Sequence, residues 1–552
     1  MGTAVQTDWV SPARAITGRD HLAVQAVSER LYTGLLPGLT NVTYRARCYL
    51  FYPWFVWAFD QRFKKKSADE FVRVFRNAEC MHTLIGIVHE LDEGDEWTHG
   101  GGLVGRDALV AVAKRIVDGE SVHLSDYSKL EPADANRYFQ HKLGGLGQYY
   151  LGPLKDLMAL DGNAREGLKY TAEWGVALAM AHDEGVDAKA FFDAVDSDRV
   201  DAKIVRNLSA FCPCHLRTNT TERDALVTLL FCRGEGNLRL ETGEERRKTL
   251  TLLLDHALAL QEIANHHPTR TEFLNSCYTG FLPDSKAWSI PSGLTDIRTG
   301  WGIYKRHELL SIAVQGLFWA GLTALLDEGG YVQDSRAYAT WFGQRFRGVL
   351  EPSFSSSAFA DEVNASWRSL PNHSNWQSAE HEVNLGDALL VAQSQKNVDQ
   401  VVALSVRLLL SLIARGIDLS PYGTLVVADR FFETYEINLF ALQKCAADAW
   451  KSMNGLQWLE WLAASWTIRV HFRVALRKLR YQTQDTFRIV PLDEGYRVRE
   501  APRAQWSSPR LDQGLRFLYD IGALDLREDL DERPYVLSPF GAQLLENELG
   551  RQ

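Results

Sequence analysis

Apolar residues recur at three- and four-residue spacing through most of the chain, the signature of amphipathic helices. Residues 22–36 open with such a segment, and Pro37-Gly38 stops it. Thr40 or Asn41 can cap the next helix, which carries Arg45 and Arg47 into an aromatic run at residues 48–59, CYLFYPWFVWAF. Lys64, Lys65 and Lys66 follow, as suits the negative end of a helix. Further helices are predicted over 69–91, 106–118, 133–143, 166–182, 188–195, 221–233 and 243–265, the last ended by His266-His267-Pro268. Residues 281–296, with Pro283 and Pro291, read as a connection. Residues 301–326 are apolar nearly all round after His307, so this helix belongs at the centre of a bundle. A polar stretch at 350–386 has helical signals only at 359–369, with 371–382 read as a surface loop. Helices at 387–416, 429–453 and 456–480 follow.

The period changes after Tyr481. Residues 486–490 and 496–500 alternate around Leu492-Asp493-Glu494-Gly495, a hairpin pattern. Ser508-Pro509 opens a helix that Gly522 stops. Short strands at 523–526 and 535–538 then flank the charged loop 527–534, before a last helix from Pro539 to about Leu549. Helix, two-stranded wing, helix is the outline of a winged-helix module. The expected fold is therefore mostly α, a multi-helix body with a C-terminal winged-helix-like α+β module. Its expected segments are 1–150, 151–290, 291–455 and 456–552. No repeat of 20 to 50 residues stands out.

Charge sharpens this picture at one place. The 552 residues carry a net charge of −10, yet residues 466–510 hold ten Lys/Arg against four Asp/Glu. Within WTIRVHFRVALRKLR, residues 466–480, Arg469, Arg473 and Arg477 recur every four residues and form one stripe on a helix. Guanidiniums so arrayed need an anionic surface opposite, either nucleic acid or carboxylates of this chain or a partner. Arg469, Arg473, Arg477, Lys478, Arg480, Arg488, Arg497, Arg499 and Arg510 are the candidate contacts, with Arg503 beside them. Glu433, Glu436 and the wing acids Glu528, Asp529, Asp531 and Glu532 are the internal carboxylates that could neutralise them. An acidic wing fits phosphate poorly.

Candidate chemistry is sparse. Cys212, Cys214 and His215, with Cys232 beyond, offer four soft donors for zinc, but not at the spacing of common zinc ribbons; buried helical cysteine is the plainer account of Cys232. No other cofactor is expected. The glycine-rich His99–Arg106 stretch precedes a helix but lacks the Gly-Lys-Ser/Thr ending of a phosphate loop, and reads as a flexible connection. His307-Glu308, His373 and Glu380/Glu382 around His381 are the acid–base candidates, without the strands of a familiar nuclease. No nucleophile elbow occurs. The seven Cys show no pairing pattern, the twelve-residue apolar run is too short to span a bilayer, and the N-terminus lacks signal-peptide features. The expected location is the cytoplasm, with no membrane partner.

Residues 31–62, LYTGLLPGLTNVTYRARCYLFYPWFVWAFDQR, resemble the opening of large bacterial proteins encoded in anti-phage defence loci. The resemblance implies a subunit of a multi-gene system, such as the non-helicase components of Druantia- or Zorya-like systems. No catalytic residue carries over with it. The expectation is a DNA-associated or scaffolding component that meets DNA or another subunit; the competing one is a metal-dependent enzyme, a nuclease or a zinc-dependent activity.

Overall fold

The aromatic run becomes helix Cys48–Arg62 in the computed structural model, with Cys48 to Val56, Ala58 and Phe59 buried. The structure describes residues 20–550 apart from 64–66, 131–135, 164–166, 234–242, 351–356, 417–434, 483 and 528–532. Lys64–Lys66, Glu433 and the four wing acids therefore lie outside the described residues. The protein is mostly α, with 66% helix and 7% strand. Two units emerge that interleave along the sequence. One comprises 1–32, 274–289 and 298–507; the other comprises 33–273, 290–297 and 508–552. This division cuts across the four consecutive segments read from the sequence, since 456–507 falls in the first unit and 508–552 in the second.

The first unit is built on helix Thr295–Asp327. Its apolar window is long enough to cross a membrane, but 83% of that window is buried inside the protein, as a core helix requires. Gly321 lets helix Ser335–Phe346 approach it closely: a Cβ there would lie 2.9 Å from the Phe342 ring and against the Tyr338 hydroxyl. The predicted helix over 387–416 is two helices, Glu382–Ser394 and Val398–Arg415. Lys396 takes a left-handed φ of 56° between them, and the Asn397 side chain caps the second. Helix Gly455–Leu462 runs through a π-helical turn, Ala463–Arg469, into helix Val470–Gln482. The expected hairpin forms with shifted bounds, Ile489–Leu492 against Gly495–Val498 in place of 486–490 against 496–500, and gains a third strand, Tyr331–Val332, paired to Gly495–Val498.

The second unit packs helix Cys48–Arg62 against helices Ala68–Glu93 and Trp174–Glu184. The Phe51 ring stacks on His82 at 4.1 Å, and the Trp54 indole donates to Asp183 at 2.8 Å. Ser67 caps helix Ala68–Glu93 and Gly94, at φ 82°, ends it. The predicted helix at 166–182 is corrected: Leu160–Asn163 and Gly167–Tyr170 form a hairpin, and helix begins only at Trp174. Gly162 and Gly167 take left-handed φ of 85° and 87°, which breaks the helical spacing. Residues 136–143, expected to be helical, are turns, bends and irregular backbone. Near the C-terminus come helix Leu511–Asp520, strands Leu524–Leu526 and Tyr535–Leu537, and helix Pro539–Leu549 capped by Ser538.

Candidate metal centre and basic helix

Helix Ala68–Glu93 carries His89 in its last turn, and Gly94 turns the chain into the glycine-rich loop that holds His99. Cys212 and Cys214 flank Pro213, which starts a short 3-10 turn, Pro213–Arg217. That turn is held from below by Arg47, whose guanidinium donates to the carbonyls of Ala210 and Cys212. Arg47 is itself fixed by Glu222 in a fully buried, two-point ion pair, and His182 lies 3.1 Å from the same carboxylate.

These elements bring four donors together. Cys212 Sγ lies 3.5 Å from His99 Nδ1, and Cys214 Sγ lies 3.5 Å from His89 Nδ1. One donor atom from each residue falls within 4.8 Å of every other. On their far sides both imidazoles meet one carboxylate, Glu93, at 2.8 Å from His89 Nε2 and 3.2 Å from His99 Nε2. Burial works to raise the Cys212 thiol. Hydrogen bonds from the Cys214 side chain and backbone, with the Arg45 and Arg47 guanidiniums nearby, outweigh it and hold the thiol below its ordinary value. Cys214 is pushed up to about 12 by its bond to Cys212 and by burial. The bond to Cys214 raises His89 against the effect of burial, with Glu93 assisting.

The donor set differs from the one the sequence suggests. Cys212 and Cys214 belong to it; His215 and Cys232 do not. His215 stacks beside His89, with ring centroids 6.0 Å apart, and burial lowers its pKa. Cys232 is buried elsewhere and its sulfur accepts from Arg246 at 3.3 Å. His89 and His99 lie more than a hundred residues from their cysteines, at separations of 125 and 113, so no local motif announces them. The cluster borders an open cavity of about 1080 Å³, whose walls include His215, Arg217 and Arg533. Arg217 pairs with Asp525, and Arg533 with Asp95 at 3.1 Å.

The acid–base candidates serve the fold. His307 Nδ1 and Glu308 share the hydroxyl of Ser28, and Glu308 also accepts the Ser507 N–H at 2.8 Å; all three side chains are buried. His373, His381 and Glu382 also come together, but Glu382 already accepts from Arg415 at 2.7 and 3.0 Å and from Tyr278 at 2.9 Å. His381 caps its helix through Val383. Glu380 is exposed and bonded to Ser378.

The arginine set divides. Arg469, Arg473 and Arg480 stand exposed on the outer face of the helix, Arg473 paired with Glu436. Arg477 is half-buried over the Tyr435 ring, 5.1 Å from its centroid. Lys478 turns inward to the Asp20 carbonyl at 3.0 Å, and burial lowers its pKa. Arg488 is buried and paired with Glu500 at 2.8 Å; Arg499 pairs with Asp485 at 2.8 Å. Arg497 is exposed on its strand, as is Arg503 beyond it. Arg510 belongs to the second unit, where it precedes helix Leu511–Asp520 with φ 64°. Between the outward arginines the same helix exposes Leu476, Leu479 and Tyr481, at 56%, 36% and 71%.

Comparison of the chain with protein-family models, with curated proteins and with solved structures finds no match in any of the three.

Proposed function

We propose that the protein is a non-catalytic scaffolding component of a bacterial multi-gene antiviral defence system. It works in the cytoplasm and docks an acidic, partly apolar surface of a partner subunit on the outer face of the continuous helical stretch formed by Ala463–Arg469 and Val470–Gln482. The observation that carries this reading is the interleaving of exposed Leu476, Leu479 and Tyr481 with exposed Arg469, Arg473 and Arg480. Phosphate binding draws chiefly on cations and gains nothing from exposed leucines. Protein interfaces combine arginine and tyrosine anchors with desolvated apolar area. The defence context rests on the resemblance of residues 31–62. That stretch supplies buried core here, including Trp54 and Phe55, so it supports a context and no site.

Two other readings have some support. The succession of helix, two strands and helix over residues 511–549 supports a winged-helix-like reading, which would favour DNA. Against it, Arg533 is taken up by Asp95. The zinc-dependent enzyme draws on the His/Cys cluster, but four protein donors complete a tetrahedron and leave no position for a substrate.

The test is a fluorescence titration of the full chain with two probes, duplex DNA and a helical peptide bearing glutamates and leucines on one face. Tighter binding of the peptide is expected. Tighter binding of the duplex, with the steep salt dependence of phosphate contacts, overturns the reading.

A further inference from the structure

A zinc ion bound by two thiolates at about 2.3 Å and two imidazoles at about 2.0–2.1 Å holds each sulfur about 3.6 Å from each nitrogen at tetrahedral angles. The two Sγ···Nδ1 separations here are both 3.5 Å. We propose that His89, His99, Cys212 and Cys214 form a structural zinc site that ties the end of helix Ala68–Glu93 and the glycine-rich loop to the Pro213–Arg217 turn.

Three further observations point to the same site. Glu93 receives both Nε2–H groups, which fixes the tautomer in which each Nδ1 lone pair faces the sulfurs. A carboxylate behind a ligating histidine is the usual outer partner of a metal site, and here one carboxylate serves two. Second, the set is soft and nitrogenous, two S and two N, which suits zinc rather than magnesium or calcium. Third, all four donors lie within 4.8 Å of one another, which leaves room for a single ion and not for a sulfide-bridged pair of irons. With every position filled by protein, the ion links segments instead of activating water. It sets the part of the cavity wall formed by His215 and Arg217.

The experiment is metal analysis of the full chain purified under reducing conditions, followed by replacement of zinc with cobalt(II). About one zinc per chain is expected, with the visible bands of tetrahedral cobalt and thiolate-to-metal charge transfer after exchange. The double variant Cys212→Ser/Cys214→Ser should lose at least nine-tenths of the metal, while Cys232→Ser and His215→Ala keep it. Glu93→Gln, on a side chain that is largely exposed, should fold and bind zinc about 10–100-fold more weakly in competition with a chelator. A chain that holds no zinc and gives no cobalt charge-transfer band overturns the proposal. So does metal retained by the double cysteine variant, or a Cys212–Cys214 disulfide in the reduced preparation. If the double variant fails to fold, the cobalt spectrum of the unaltered chain and the affinity of Glu93→Gln decide the matter.

Discussion

Arg47 and Glu222 meet through two parallel hydrogen bonds, Nε to Oε2 at 2.7 Å and Nη2 to Oε1 at 2.6 Å, with both side chains fully buried. The pair does more than satisfy itself, because the remaining Arg47 donor holds the Ala210 and Cys212 carbonyls. Removing one partner leaves the other charge buried without compensation. Glu222→Ala is expected to destabilise the protein by about 3–5 kcal/mol. Denaturant midpoints of the full chain measure this; a loss under about 1 kcal/mol would mean that water or another group replaces the carboxylate.

The same pair sets a pH dependence. Burial alone would raise Glu222, but Arg47 and then His182 hold it down to about 2. A depressed carboxylate contributes stability above its unfolded value near 4.5, and that contribution is lost as the pH falls towards 2. Buried histidines act earlier. His82 and His256 are pushed down to about 3 by burial, so they stay neutral in the fold while the unfolded chain takes up protons below about 6.5. Stability should therefore fall from about pH 6.5 downward, each such histidine adding up to about 1.4 kcal/mol per pH unit. Melting temperatures across this range should show a shallower fall for His256→Phe than for the parent. Parallel curves would show that His256 is protonated within the fold.

Two glycines should respond in opposite directions. At Gly321 a Cβ meets the Phe342 ring at 2.9 Å, so Gly321→Ala should cost about 1–3 kcal/mol through displaced packing. At Gly348, in the 3-10 turn Arg347–Val349, a Cβ meets nothing within 4 Å and φ is not left-handed, so Gly348→Ala should stabilise by about 0.4–1 kcal/mol. Calorimetry of the two variants checks both signs. A neutral Gly321→Ala would mean that helix Ser335–Phe346 can withdraw without loss.

Local pattern revealed the helices and hairpins whose signals lie within a few residues, and failed where distant or left-handed positions decide. Cys48–Arg62, Thr295–Asp327 and the C-terminal succession from Leu511 to Leu549 follow directly from spacing, caps and breakers. The helix expected at 166–182 and the single helix at 387–416 fail for one reason. Left-handed residues, Gly167 in the first and Lys396 in the second, interrupt a continuous apolar period. Half of the candidate metal site was legible, because Cys212 and Cys214 are neighbours. His89 and His99 reach them only through tertiary packing, and His215, the neighbour the sequence offers, points to the cavity wall instead. Of the basic set, spacing identified the outward Arg469 and Arg473. Inward Lys478 and Arg488 differ only by what they meet, Asp20 and Glu500.

The docking face is tested most directly by Leu476→Asp, which changes an exposed side chain and leaves every arginine in place. Titrating this variant and the parent with the acidic, leucine-bearing helical peptide measures what the face loses when an apolar contact becomes a carboxylate opposite the peptide's glutamates. An affinity at least tenfold lower is expected for Leu476→Asp, about 1.4 kcal/mol or more. Equal affinities for the parent and Leu476→Asp would contradict it.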